Sequence, residues 1–290
     1  MTSVAASPTT YSFSQVDVFA PEPLTGNPVA VVHDAVGLDD AQLAAFARWT
    51  NLSETTFLLP PTEPSADYRL RIFTPAEELP FAGHPTLGSA HAWLGLGGVP
   101  ATQGRLVQEC GVGLIELALE RETLAFRAPD LLRSGEPDEE TLARAIGALG
   151  VRRDRVVRAS WVDNGPGWLG LQLVSAADVL DLRPDFVSMS GLQVGVIGPL
   201  HDQARVALGA DYEVRAFCPD FAVPEDPVTG SLNAGLALWL IRAGHAPASY
   251  TARQGSVLGR DGRVQVRTDE AGQIWVGGSC HTLIQGSLTL

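Results

Sequence analysis

Arg71-Ile72-Phe73-Thr74-Pro75, followed after a short gap by Glu78-Leu79-Pro80-Phe81-Ala82-Gly83, has a counterpart later in the chain. There, Arg215-Ala216-Phe217-Cys218-Pro219 leads to Glu225-Asp226-Pro227-Val228-Thr229-Gly230. Both copies read R-x-F-x-P and then E-x-P-x-x-G, with a gap three residues longer in the second. The match continues from Gly88 and Ala90 to Gly235 and Ala237. The two glutamates stand 147 residues apart in a chain of 290, so the period is half the molecule. That is far longer than a solenoid repeat, and it points to two similar halves.

Each copy has the same local logic. R-x-F alternates as a short strand does, the proline stretch breaks it, and the glycine opens a helix. In the second copy that helix runs through Leu232-Asn233-Ala234-Gly235-Leu236-Ala237-Leu238-Trp239-Leu240-Ile241 and ends near Gly244. It is apolar nearly all round, which means burial on every side. The first copy spans Pro85 to Leu96 and stops at Gly97-Gly98. Strand candidates surround both: Gln15–Phe19, Val29–Val32, Tyr68–Phe73, Leu114–Leu119, Thr123–Arg127, Leu169–Val174, Gln193–Ile197, Val264–Arg267 and Gln273–Val276. Amphipathic helices fit Asp39–Arg48 and Glu139–Leu149. The expected fold is α+β, with two similar domains, each a barrel-like sheet wrapped around a buried central helix. The domain boundary is placed near Ala128–Glu136, where Pro129, Gly135 and Pro137 cluster, giving halves 1–128 and 129–276.

Composition narrows the chemistry. Hydrophobic residues make up 45% and charged residues 18%, as in a folded soluble protein. A net charge of −13 disfavours nucleic acid and anionic membrane as partners. No run approaches the roughly 18 apolar residues of a membrane span. Met1 to Thr10 carries neither a basic nor an apolar leader segment, so a cytoplasmic location is expected. There is no lysine; all 20 basic residues are arginine. Schiff-base chemistry and a Walker-type phosphate lysine are thereby excluded. Cys110, Cys218 and Cys280 have no C-x-x-C spacing, and the six histidines form no metal-binding pattern, so no metal site is expected. There is no G-x-S-x-G nucleophile elbow.

The start of a helix presents unpaired N–H groups and a partial positive charge, which together bind anions. Gly83-His84 and Gly230-Ser231 are two such starts. Facing one cleft, they would hold a carboxylate or a developing enolate from both sides. Ordinary helix entries with glycine turns are the plainer alternative. His84 and Ser231 hold matched positions; His84 either meets a ligand or caps its helix. Glu225 and Asp226 precede the second helix, where acids cap as readily as they catalyse. Glu54 enters the β-prone run Thr55-Thr56-Phe57-Leu58-Leu59, either at an exposed edge or as a buried acid with a raised pKa.

Phe81–Gly88 (FAGHPTLG) and Glu225–Leu236 (EDPVTGSLNAGL) resemble the PhzF-like family, the phenazine-biosynthesis isomerase relatives within the diaminopimelate epimerase superfamily. Val16-Asp17-Val18-Phe19, Gly26-Asn27-Pro28, Asn51 to Phe57, and Gln254-Gly255 with Gly259-Arg260 extend the resemblance over nearly the whole chain. It implies two barrels around central helices, residues 277–290 crossing back to the first half, and a homodimer. It implies proton movement on a small carboxylated metabolite with no metal or organic cofactor. The matching positions give Glu54 as acid/base, His84 and Asp226 as further catalytic groups, and Asn27, Ser53, Gly83, Gly230 and Ser231 as substrate-binding residues. Superfamily members that use two thiols carry them where this chain has Ala82 and Thr229. Leu232 stands where a small residue is usual, and would either narrow the pocket or pack.

Three functions follow from this reading. The first is a cofactor-independent isomerase with Glu54 as proton carrier. The second is a non-catalytic protein that binds small carboxylates on the same scaffold, since a fold does not fix a function. The third is an epimerase or racemase with Asp226 as the second base.

Overall fold

The computed structural model describes residues 9–120, 123–221 and 223–290. The leader reading over Met1 to Thr10 therefore falls almost entirely outside the described residues. Within them no helix is long and apolar enough to cross a membrane.

Two runs of strands repeat one pattern of partners. In the first, Thr10–Val18 is antiparallel to Asn27–Val32, which lies parallel to Glu54–Leu59. Tyr68–Phe73 follows antiparallel, Arg105–Cys110 parallel, and then Gly113–Leu119 and Leu124–Arg127 antiparallel. In the second, the order is Val156–Asp163, Trp168–Leu173, Gln193–Pro199, Tyr212–Phe217, Ser249–Gln254, Gly262–Thr268 and Ile274–Gly278. The sense of every pairing is the same as in the first run. The internal match seen in the motifs is thus a match of topology. Leu124–Arg127 pairs with Ile274–Gly278 and joins the two runs into one sheet. Each run also has a flanking strand beside its first member. Arg133–Gly135 pairs with Val156–Asp163. The last strand, Cys280–Thr289, returns to pair with Thr10–Val18.

Each run wraps a central helix, Gly83–Gly95 in the first and Gly230–Arg242 in the second. Both are 13 residues long, and both begin at the glycine that the motif sets at the helix start. The matched Gly88 and Gly235 are explained by close approach to the barrel wall. A Cβ at Gly88 would lie 2.4 Å from Val29, and one at Gly235 would lie 2.2 Å from the Val162 carbonyl oxygen. The matched Arg and Glu are explained by an ion pair across adjacent antiparallel strands. Arg71 binds Glu78 with two bonds of 2.7 and 2.6 Å, and Arg215 binds Glu225 with two of 2.8 Å. The first pair is partly exposed and the second is buried.

Local signals account for the remaining boundaries. Asp39 caps the helix Asp40–Thr50 rather than opening it, in a reciprocal capping box with Gln42. Asn51, left-handed at φ 53°, ends that helix. Asp138 accepts from Thr141 N–H and starts Glu139–Leu149. The strand expected at Gln273–Val276 runs Ile274–Gly278, pulled on by its ladder with Gly262–Thr268 and Leu124–Arg127. Cys280–Thr289 escaped the alternation reading because most of it is exposed, so neither face carries a consistent apolar set.

Candidate active site

The N-termini of the two central helices meet. A Cβ on Gly83 would fall 2.7 Å from Gly230 Cα, and one on Gly230 would fall 2.8 Å from Gly83 Cα. Only glycine allows backbones so close. Neither helix is capped by a side chain at its N-cap residue, Ala82 or Thr229. The first-turn N–H groups have no acceptor within their own helices. Pro85, in the first turn, has no such group to satisfy. Between the halves, Ala82, Gly83, His84, Thr229, Gly230 and Ser231 border a cavity of about 40 Å³. Two partial positive charges converge there.

Glu54 reaches the same cavity from the first strand run. The left-handed Asn51 turns the chain out of its helix, and Glu54 begins the next strand beside Val29. Its carboxyl is largely buried, with Oε2 3.3 Å from His84 Nε2. The two are not aligned as a hydrogen bond, and among the described residues neither atom has a hydrogen-bond partner. Burial first, and the nearby Asp226 charge second, push the Glu54 pKa well above the ordinary carboxylate range.

Asp226 lies in the short strand Glu225–Asp226 and lines the cavity opposite. Burial raises its pKa to about 6, opposed by hydrogen bonds from Thr229, Asn27 and Ser53. Asn27 Nδ2 donates to Oδ1 at 2.8 Å, and the Thr229 hydroxyl to Oδ2 at 2.6 Å. Burial holds His84 at about 3, so its ring is neutral at ordinary pH. Its Nδ1 faces Asn27 Nδ2 at 3.3 Å, which can only donate. The ring hydrogen therefore sits on Nε2, directed at the Glu54 side.

The structure brings Glu54, Ser53, His84, Asp226, Gly83, Gly230 and Ser231 to one cavity. Asn27 is not on its wall. It is fully buried behind His84 and Asp226 and holds both, so it positions groups rather than facing a ligand. Neither Glu225 nor Asp226 caps the second helix: Glu225 is bound by Arg215, and Asp226 accepts from Asn27 and Thr229. His84 makes no cap bond either. Ser231 Oγ accepts from Trp168 Nε1 at 3.1 Å. Leu232 packs: it is fully buried, absent from the cavity wall, and covers Gly195 so closely that a Cβ there would clash with it.

Sequence reasoning missed several wall residues. Pro166, Trp168, Phe221 and Val223 come from loops and strand ends without motif character. Thr74 and Cys218 were within reach, because both follow R-x-F in their copies, and both line the cavity. The Cys218 thiol is buried beside two carboxyls and is pushed far up in pKa, so it stays protonated. The cavity is also chemically one-sided. Strand register puts Gln193 in the second run where Glu54 stands in the first. Leu79 stands in the first copy where Asp226 stands in the second.

The model of the family described as phenazine biosynthesis-like protein matches residues 16–286. Antisense-enhancing sequence 1 of Schizosaccharomyces pombe is 37% identical, over 96% of this chain and 98% of its own. Trans-2,3-dihydro-3-hydroxyanthranilate isomerase of Pseudomonas aeruginosa is 35% identical, over 89% of this chain and 90% of its own. Among solved structures, a phenazine biosynthesis protein of the PhzF family from Enterococcus faecalis superposes with a TM-score of 0.78 at 28% identity, covering 97% of this chain and all of that one.

Proposed function

Because the chain belongs to the phenazine biosynthesis-like protein family, whose members include isomerases, we propose that it is an isomerase that moves a proton on a small carboxylated substrate. Glu54 is the acid/base group. The observation that carries this is the contrast between the two buried carboxyls. Asp226 is held by several donors, whereas Glu54 Oε2 has no hydrogen-bond partner among the described residues and a pKa well above the carboxylate range. Two acids whose surroundings separate their proton affinities are the arrangement acid/base chemistry needs.

The proposed chemistry follows from the wall. The substrate carboxylate meets the helix starts at Gly83-His84 and Gly230-Ser231; among the described wall residues none is arginine. Glu54 takes a proton from the carbon skeleton and returns it at another carbon. His84, neutral with hydrogen on Nε2, donates to the oxygen where negative charge gathers. Both steps use this chain's own side chains, so the proposed reaction calls for no cofactor. A cavity of about 40 Å³ has room for only a few waters as it stands. The relative from Pseudomonas aeruginosa is named for a hydroxyanthranilate substrate, which supports a carboxylated ring as the first compound to try.

The test is solvent exchange. Small carboxylates, beginning with trans-2,3-dihydro-3-hydroxyanthranilate, are incubated with the enzyme in deuterated water. Glu54→Gln keeps the fold and lowers exchange by about 10²–10⁴-fold, the range of positioned general acid/base catalysis. Undiminished exchange in that variant rules Glu54 out. A two-base epimerase is the second reading, since Asp226 lines the same cavity with a pKa raised to about 6. Inverted configuration at the labelled carbon would establish it.

A further inference from the structure

Gln254 lies at the end of the strand Ser249–Gln254, fully buried and off the cavity wall. All of its polar contacts are satisfied. Its Oε1 accepts from Thr229 N–H at 3.1 Å and from Asn233 Nδ2 at 2.9 Å. Its Nε2 donates to the Asp226 carbonyl oxygen at 3.1 Å and to Thr229 Oγ1 at 2.9 Å.

Two of those partners have no choice of role. A backbone N–H can only donate, so the end of the amide facing Thr229 N–H must be oxygen. A backbone carbonyl can only accept, so the end facing the Asp226 carbonyl must be nitrogen. The orientation of Gln254 is thus fixed by the main chain. Its NH₂ group then occupies a lone pair of the Thr229 hydroxyl. That hydroxyl has one hydrogen, and it goes to the remaining neighbour, Asp226 Oδ2, at 2.6 Å. The other oxygen, Oδ1, meets Asn27 Nδ2, whose own orientation is set by donation to the Val228 carbonyl at 2.9 Å.

We propose that Gln254 is a positioning residue that acts through Thr229 to lock Asp226 as a hydrogen-bond acceptor, so that a proton taken up by Glu54 stays on Glu54 rather than passing to Asp226. Each oxygen of Asp226 already accepts a hydrogen bond, which favours its ionised form, whereas Glu54 Oε2 has no hydrogen-bond partner among the described residues. The direction of a proton relay is therefore written in an amide that never touches substrate. This rests on the reading of Glu54 and Asp226 as the site's acid/base pair.

The test titrates the carboxyl itself and needs no substrate, so its outcome is separate from that of the exchange assay. Full-length protein is labelled with carboxyl-¹³C aspartate, the Asp226 signal is identified by its loss in Asp226→Asn, and its midpoint is followed with pH. The titratable or charged groups around it are Glu54 on the facing strand, His84 on the first central helix, the Cys218 thiol, and Glu225 with Arg215 beside it. Thr229→Val raises the midpoint by about one to two pH units, the size of one hydrogen bond to a charged group. Thr229→Ser returns it to the wild-type value. Gln254→Met spares the hydroxyl but frees it to turn, and raises the midpoint by about half a unit or more. Gln254→Met reads the relay independently should Thr229→Val not fold. An Asp226 midpoint that stays put in Gln254→Met, with only thermal stability lowered, overturns the proposal.

Discussion

Replacing Gly83 by alanine puts one methyl group where two helices start. The new Cβ would stand 2.7 Å from both Cα and the carbonyl carbon of Gly230 and 2.9 Å from Ser231 N. Ordinary contact begins near 3.4 Å, so the termini must part by about 0.7 Å. All three neighbours are backbone atoms, so no side chain can swing aside. Overpacking of this kind costs about 1–3 kcal/mol. A protein with a typical stability of about 5–15 kcal/mol survives that loss. Thermal unfolding should fall by roughly 2–12 °C, taking about 2–4 °C per kcal/mol for a chain of this order of size. Catalysis is hit harder. The same displacement moves the N–H groups of both helix starts away from a bound carboxylate, and a misplacement near 1 Å costs about 10²-fold in rate. The double variant Gly83→Ala/Gly230→Ala should cost less than the sum of the singles, because the first methyl has already opened the gap. Gly95→Ala is the control: nothing lies within 4 Å of its Cβ, and stability should hold or rise slightly. Calorimetry and the exchange assay read all four proteins. Wild-type melting and wild-type exchange in Gly83→Ala would show that the two helix starts do not meet.

Other outcomes follow from the same geometry. The Asp226 pKa is raised to about 6 from an ordinary value of 3.8, so its stabilising contribution is complete below the lower value and is lost as pH rises through the higher. Asp226→Asn should therefore flatten the decline in melting temperature between about pH 4 and pH 7, measured by differential scanning calorimetry. The duplicated ion pairs make a matched comparison in urea. Arg215→Met leaves Glu225 buried without its partner and should cost about 3–5 kcal/mol. Arg71→Met removes a partly exposed pair and should cost about 0–1 kcal/mol. Leu232→Ala should destabilise by about 2–5 kcal/mol through an unfilled space beside Gly195, while exchange on a bound substrate persists.

What was legible in the sequence came from the duplication. R-x-F gave a strand and the glycines gave the helix starts, because these features rest on short-range geometry that repeats; the ion pair joining each matched Arg and Glu emerges only once the strands lie side by side. Glu54 was different. Its burial depends on a strand laid parallel to Asn27–Val32 and on helix starts far along the chain, so its own neighbours in sequence could not separate an exposed edge from a buried acid. Asn27 was expected against a ligand and stands behind His84 and Asp226, since the two hydrogens of its amide nitrogen go to Asp226 and the Val228 carbonyl. Cys218 looked remote from Thr229 in sequence, yet the ladder that pairs Ala216 with Asp226 sets it on the cavity wall. Trp168 and Phe221 are wall residues only because separate loops converge, and no spacing announces that.

The returning strand Cys280–Thr289 bears on how the molecule is made. Thr10–Val18, made long before residues 280–289, pairs on one side with the nearby Asn27–Val32. Its other edge waits for residues 280–289, with Thr9 and Leu290 finally exchanging backbone bonds of 2.9 and 3.0 Å. Until then that edge is an open template for a neighbouring nascent chain. The first half is thus begun first and completed last, and the most exposed moment of its folding is set by the time needed to synthesise the second.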